Sequence, residues 1–148
     1  MKNVLVLCMG NAGRSQMAEG YLNFYAGDKA NIYSAGILEY SLHPKAVEVM
    51  AEDNIDISHY ISQLYSSVKA IKYDYLITIC DISTINIPTN LKWEKVYDLK
   101  ITESAIVDDD HTTILNKFRG TREQIKKSIL HFIGKELNTQ THEEFFVA

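Results

Sequence analysis

Cysteine, proline and glycine are all scarce in this chain of 148 residues, which contains 2 cysteines, 2 prolines and 7 glycines. Two cysteines are too few for a disulfide framework or for a zinc site with four cysteine ligands. The low proline and glycine content excludes a linker-like or collagen-like chain. The two thiols, Cys8 and Cys80, are therefore predicted to be single functional or buried cysteines.

Positive charge and long hydrophobic runs are lacking as well. Lys and Arg total 15 against 19 Asp and Glu, a net charge of −4 that is opposite to the basic surface typical of nucleic-acid binding. The first apolar run, Val4–Leu7, is far shorter than the roughly 20 residues that span a bilayer. We therefore expect a cytosolic protein that binds neither nucleic acid nor membranes, in a compartment where thiols stay reduced.

What remains is the composition of an ordinary globular domain, with 46% hydrophobic and 23% charged residues. A chain of this length is expected to form one domain with a substantial core. We place that domain at residues 1–137 and expect residues 138–148 to be a flexible tail.

Short apolar segments alternate with amphipathic ones along the chain. The predicted strands are residues 4–7, 31–35, 73–79 and 95–97, and the predicted helices are 14–27, 44–54 and 112–137, the last broken near Gly120. This order predicts a single α/β domain with an open four-stranded parallel sheet and helices on both faces. Such folds bind ligands at the carboxyl ends of the strands, where Cys8, Cys80 and Asp98 are expected to lie.

The segment Cys8–Ser15 places a thiol and a guanidinium at the two ends of a tight loop between a strand and a helix. Inward-pointing N–H groups of such a loop, together with the helix dipole, form an anion site. Arg14 adds a bidentate fork, and the same positive field predicts that Cys8 is a thiolate nucleophile, to which Ser15 donates its hydroxyl. The predicted oxyanion-binding residues are Met9, Gly10, Asn11, Ala12, Gly13 and Arg14.

The segment Cys8–Gly20 resembles the signature of the low-molecular-weight protein tyrosine phosphatase superfamily, specifically its thioredoxin-coupled arsenate reductase branch. Further matching segments, in the order and spacing of that branch, are residues 33–36, 43–50, 55–58 and 74–80. The resemblance covers nearly the whole chain and is weakest between residues 81 and 113. It implies the phosphatase-like fold and a tetrahedral oxyanion as substrate: arsenate, phosphate or a phosphomonoester.

The resemblance implies that a carboxylic acid protonates the leaving oxygen after Cys8 attacks. Asp98 matches the catalytic aspartate of the family, although Leu99 follows it where proline is usual. The alternative is that Asp98 is a solvated loop residue or a helix cap. Asp81 and the run 108–110 compete for the acid role, and the run is expected to cap the last helix.

A reductase needs a second thiol to attack the adduct on Cys8, and Cys80 matches that thiol in the branch. The alternative is a buried structural cysteine. The branch uses a third cysteine just before a proline, but Ile87 precedes Pro88 here. The resemblance therefore implies that thioredoxin, glutaredoxin or a small thiol reduces a Cys8–Cys80 disulfide directly.

A tyrosine phosphatase of this family binds the phosphotyrosine ring with paired tyrosines after the catalytic aspartate. Here Leu99-Lys100-Ile101 follows the predicted acid, and no tyrosine stands at these positions. We therefore expect an arsenate reductase first, a phosphatase second, and an oxyanion-binding module without turnover third. No cofactor or metal is predicted. Some members of the branch bind potassium through residues matching Asn11, Glu19 and Ser34 plus an acidic residue, and Gln63 stands in the place of the acid.

Overall fold

In the computed structural model, which describes residues 1–10, 13–38, 42–101 and 110–137, four parallel strands form one sheet. The strands are β1 (Lys2–Gly10), β2 (Ala30–Leu38), β3 (Lys72–Thr78) and β4 (Lys92–Asp98), in the order β2-β1-β3-β4. The α-helices are α1 (Arg14–Ala26), α2 (Pro44–Glu52) and α3 (His111–Phe132). Short 3₁₀ helices lie at Tyr65–Ser67 and Ile82–Thr84, and a π-helical turn, Ile133–Leu137, follows α3.

Strand β1 lies inside the sheet and is buried on both faces, as its continuous apolar run predicts. Val4 and Val6 belong to one core cluster, and Leu5 and Leu7 belong to the cluster on the opposite face. All four side chains have no solvent exposure. The alternation fixes the register of β1, because a slip by one residue would exchange the two faces.

The first core cluster joins all three α-helices to the sheet. Its buried helical residues include Met17, Tyr21 and Leu22 of α1, Val49 and Met50 of α2, and Ile125, Ile129 and Phe132 of α3. The second cluster joins strand residues to Val68 and Leu91, with Tyr65 of the first 3₁₀ helix packed against it. The predicted single α/β domain with a four-stranded parallel sheet is confirmed. The expectation of helices on both faces is wrong for the described residues, because all three α-helices pack in the first cluster and a 3₁₀ helix and loop residues cover the second face.

The helix ends follow local sequence signals. α1 ends at the Gly27 cap, and the His43 ring accepts a hydrogen bond from Lys45 N–H at the start of α2. Asp110 caps α3 by accepting from Thr113 N–H at 2.7 Å. The predicted break near Gly120 is wrong: α3 runs through it, because one exposed glycine costs a helix only about 1 kcal/mol.

Within the described residues, no helix is both long and apolar enough to cross a membrane. The predicted tail, residues 138–148, lies outside the described residues. The domain limits therefore stay a prediction.

Candidate active site

The candidate site lies where β1 and β3 end side by side. Leu7 pairs with Thr78, and Ile79 N–H donates to the carbonyl oxygen of Leu7 at 3.1 Å. Cys8 lies within β1, two residues before its end at Gly10, and Cys80 follows the end of β3 by two residues, so the parallel register brings both cysteines to the same edge. The strand therefore includes Met9 and Gly10, which were predicted to be loop residues. Their thiols are in hydrogen-bonding contact, and neither is part of a disulfide.

The two thiols share protons as a pair. The Cys8 thiol donates to the Cys80 sulfur, and this hydrogen bond is the main reason that the pKa of Cys80 is lowered to about 6. The same bond, followed by burial, raises the pKa of Cys8. One negative charge on the pair near neutral pH is therefore favourable, and in this arrangement it lies on Cys80, whereas the sequence predicted it on Cys8. Cys8 must pass its proton to Cys80 before it can attack as a thiolate.

Backbone N–H groups and one cation stabilise that charge. Met9 N–H donates to the Cys80 sulfur and Gly10 N–H to the Cys8 sulfur, and each bond lowers the pKa of its thiol. The guanidinium of Arg14 lowers both pKa values further. The first residues of the predicted anion loop thus face the thiol pair.

The rest of the loop leads into α1. Gly13 caps the helix with φ −149°, outside the left-handed region, and Ser15 is buried in the first turn. Asn11 and Ala12, both predicted to bind the oxyanion, lie outside the described residues.

Arg14 also ties the loop to the segment after β4. Its Nη1 donates to the carbonyl oxygen of Ile101 at 2.6 Å, and Ile101 N–H donates to the carbonyl oxygen of Ile79 at 2.7 Å. The Arg14 guanidinium is therefore connected, through Ile101, to Ile79, the residue that precedes Cys80. Sequence reasoning did not single out Ile101, since a backbone acceptor leaves no signal in residue type.

Asp98 ends β4 and reaches the turn that carries Cys80. Its Oδ1 accepts from the Thr78 hydroxyl at 2.8 Å, and its Oδ2 accepts from Ile82 N–H at 3.0 Å. Both oxygens thus have donors on the neighbouring chain segment. The structure places Asp98 at the predicted strand end, and its role as the acid stays a prediction.

The competing carboxylates bind locally. Asp81 accepts from Ser83 N–H at 2.9 Å and caps the short 3₁₀ helix after Cys80. Asp110 caps α3, as expected for that acidic run, while Asp108 and Asp109 lie outside the described residues. Both described carboxylates thus have capping roles.

Ile87, which stands in the place of the third cysteine, packs against the second core cluster. Nearby Ile85 is buried, with 8% of its surface exposed. The loop after Cys80 is therefore anchored to the core by two apolar side chains. An isoleucine side chain at this position suits the apolar surroundings that the second core cluster provides.

The residues matching the potassium ligands of the branch hydrogen-bond to one another. Ser34 donates its hydroxyl to Glu19 at 2.7 Å, and Gln63 donates its amide N–H to the carbonyl oxygen of Ser34 at 2.9 Å. Glu19, Ser34 and Gln63 thus form one hydrogen-bonded group. Asn11, which also matches a potassium ligand, lies outside the described residues, and the expectation of no bound metal stays a prediction.

Comparison with known proteins identifies the family. The model of the low molecular weight phosphotyrosine protein phosphatase family matches residues 3–143. The chain belongs to this family. The resemblance inferred from the segment Cys8–Gly20 is thereby confirmed.

Family members named as arsenate reductases are similar to this chain. Arsenate reductase 1 of Staphylococcus epidermidis is 36% identical over 132 residues, which cover 88% of this chain and 95% of that protein. A solved arsenate reductase in its reduced state is 31% identical, with a TM-score of 0.72 and coverage of 91% and 98%. The low molecular weight protein tyrosine phosphatase of T. tengcongensis, 23% identical with a TM-score of 0.68 and coverage of 91% and 99%, shares the fold.

Proposed function

We propose that this protein is a thiol-dependent arsenate reductase in which Cys8 is the nucleophile and Cys80 the resolving thiol. The observation that carries the proposal is the contact between the two thiols. A phosphatase needs only the first thiol, because water completes its reaction, whereas a reductase needs a second thiol beside the first. Relatives named as arsenate reductases support arsenate as the substrate.

In the first step, Cys8 passes its proton to the Cys80 sulfur and attacks arsenic(V) as a thiolate. A sulfur–arsenic bond forms as an arsenic–oxygen bond breaks, and the leaving hydroxide takes up a proton and departs as water. The oxyanion is held by backbone N–H groups of the loop from Met9 to Gly13 and by the fork of Arg14. Ser15 is predicted to donate its hydroxyl to the Cys8 sulfur, and Asp98 is the predicted source of the proton.

In the second step, the Cys80 thiolate attacks the Cys8 sulfur and the sulfur–arsenic bond breaks. Its electron pair remains on arsenic, which leaves as arsenite in the +3 state, and the cysteines are oxidised to a disulfide. Two electrons from thioredoxin, glutaredoxin or a small thiol then restore the pair. The cytosol suits this cycle, because its thiols are kept reduced.

The decisive experiment follows arsenate-dependent oxidation of reduced thioredoxin or glutaredoxin by wild type and by Cys80→Ser. We expect arsenite release in wild type and background turnover in Cys80→Ser. Hydrolysis of para-nitrophenyl phosphate is the folding control, since Cys80→Ser keeps Cys8 and its loop while Cys8→Ser loses the nucleophile. Equal arsenate reduction by wild type and Cys80→Ser would refute the resolving role.

The second candidate is a phosphatase, which the family model and the Cys8 loop favour. It predicts phosphomonoester hydrolysis that survives Cys80→Ser, together with arsenate reduction at background. A third outcome, neither activity while phosphate or arsenate raises the melting temperature, would mark a binding module.

A further inference from the structure

The carboxylate of Asp98 bonds to both sides of the turn that carries Cys80. The Thr78 hydroxyl, which donates to Oδ1 at 2.8 Å, belongs to the last residue of β3. The Ile82 N–H, which donates to Oδ2 at 3.0 Å, opens the 3₁₀ helix that follows. Cys80 lies midway between these two donors in the sequence. One side chain of β4 therefore holds the turn on both sides of the thiol.

The sheet itself stops before Cys80. Thr78 is the last residue of β3 and pairs with Asp98, and Leu99 N–H donates to the Thr78 carbonyl oxygen at 2.8 Å. The last backbone contact of β3 before Cys80 is at Ile79, whose carbonyl oxygen accepts from Ile101 N–H. Past it, the turn is contacted by side chains and by Met9 N–H, which donates to the Cys80 sulfur. Of these, Asp98 comes from the neighbouring strand and contacts both flanks.

We propose that Asp98 is a positioning residue that keeps the Cys80 sulfur against Cys8. This inference deepens the proposed function and rests on it for the reaction that the pair serves. The two sulfur atoms of a disulfide lie only about 2.05 Å apart, so the thiols must be placed accurately before the bond can form. A misplacement of reacting atoms by about 1 Å can slow a reaction about 100-fold. Two hydrogen bonds that fix the turn therefore raise the effective concentration of one thiol at the other.

Positioning and acid catalysis need different atoms of Asp98. An acid must carry a proton, whereas positioning needs only partners for the two donors. Asn at this position keeps both contacts, since its Oδ1 accepts from Ile82 N–H and its amide N–H donates to the Thr78 hydroxyl oxygen. Asp98→Asn therefore removes the acid and retains the contacts, and Asp98→Ala removes both. Thr78→Val removes one contact and retains the carboxyl group.

The experiment is the equilibrium of the cysteine pair with glutathione, in which oxidised glutathione and the dithiol give the protein disulfide and two reduced glutathiones. No arsenate and no leaving oxygen take part, so acid catalysis does not enter. We expect Asp98→Ala to lower the equilibrium constant about 10-fold and Thr78→Val several-fold. Asp98→Asn should remain close to wild type.

Asp74→Asn is the matched control, because Asp74 lies at the other end of β3 and accepts from Asn3 N–H at 2.8 Å. It should leave the equilibrium constant unchanged. Wild-type values in both Asp98→Ala and Thr78→Val would overturn the proposal, as would an Asp98→Asn value as low as that of Asp98→Ala. If Asp98→Ala does not fold, Thr78→Val alone decides. Since arsenate is not used, failure of arsenate reduction would be recognised separately.

Discussion

Gly20 on α1 is where the structure leaves no room for a side chain. A Cβ atom there would lie 2.9 Å from Ile57 Cγ2, 3.0 Å from Met50 Cε and 3.3 Å from Ile55 Cγ2. Carbon atoms in contact are normally about 3.5–4.0 Å apart. The Met50 terminus can move, but Ile57 is β-branched and fully buried. Gly20→Ala must therefore push α1 away from the segment that follows α2.

The size of the effect follows from two opposing contributions. Overpacking a core costs about 1–3 kcal/mol, and replacing glycine by alanine inside a helix returns about 1 kcal/mol. With a contact of 2.9 Å to a rigid side chain, we take the upper part of the overpacking range and expect a net destabilisation of about 1–2 kcal/mol. For a domain of this size, that lowers the melting temperature by about 3–6 °C.

Gly120→Ala is the matched control, because a Cβ at Gly120 meets nothing within 4 Å. This variant makes the same chemical change on α3 without the contact, so we expect it to gain about 1 kcal/mol. Thermal and urea unfolding followed by circular dichroism measure both variants. Gly20→Ala at or above wild-type stability, with Gly120→Ala stabilised as expected, would refute the close packing of α1.

Four further predictions concern the thiol pair and the helix interface. Cys8→Ala should raise the pKa of Cys80 from about 6, whereas Cys8→Ser keeps a donor and a lowered pKa, as measured by thiolate absorbance against pH. The contribution of the pair to stability should be largest near the ordinary thiol pKa, because the raised pKa of Cys8 opposes it at higher pH, and in urea unfolding it should be lost as the pH falls through about 6. Tyr21→Phe removes the 2.6 Å hydrogen bond to Asp53 and should cost about 1–2 kcal/mol in urea unfolding, unlike Tyr25→Phe at a partly exposed ring. A bulky maleimide should label Cys80 in Cys8→Ser faster than Cys8 in Cys80→Ser, since Cys8 is 2% exposed, and the reverse order would contradict this burial.

The meeting of Cys8 and Cys80 could be foreseen because it depends on a general property of parallel sheets. Val4–Leu7 predicts a strand buried on both faces, and a cysteine at the end of such a strand lies at the ligand-binding edge. The predicted partner strand also ends near its cysteine. Only the strand order then decides whether the thiols touch, and β1 and β3 are neighbours.

The contacts of Asp98 could not be foreseen in the same way. The position of Asp98 at a strand end is predictable from the sequence. Whether its carboxylate faces the anion loop or the turn after β3 depends on the side-chain conformation and on the neighbouring strand, which the sequence does not specify. The partners are a hydroxyl and a backbone N–H, and the latter is present in every residue except proline. The break expected at Gly120 failed for a related reason, because packing of α3 outweighs one local preference.

The anchored loop after Cys80 bears on how the proposed disulfide is reduced. The segment after Cys80 contains no further cysteine. It is held at three points, because Ile82 N–H donates to Asp98, Ile85 is buried and Ile87 packs against the second core cluster. A reductant must then open the disulfide where it forms, and the half-buried Cys80 sulfur is its accessible side. Attack on Cys80 releases Cys8 as the leaving thiolate, whose pKa is raised by burial and lowered by the guanidinium of Arg14 and by Gly10 N–H. Arg14 and Gly10 N–H thus act on Cys8 both when it attacks the oxyanion and when it is released at the end of the cycle.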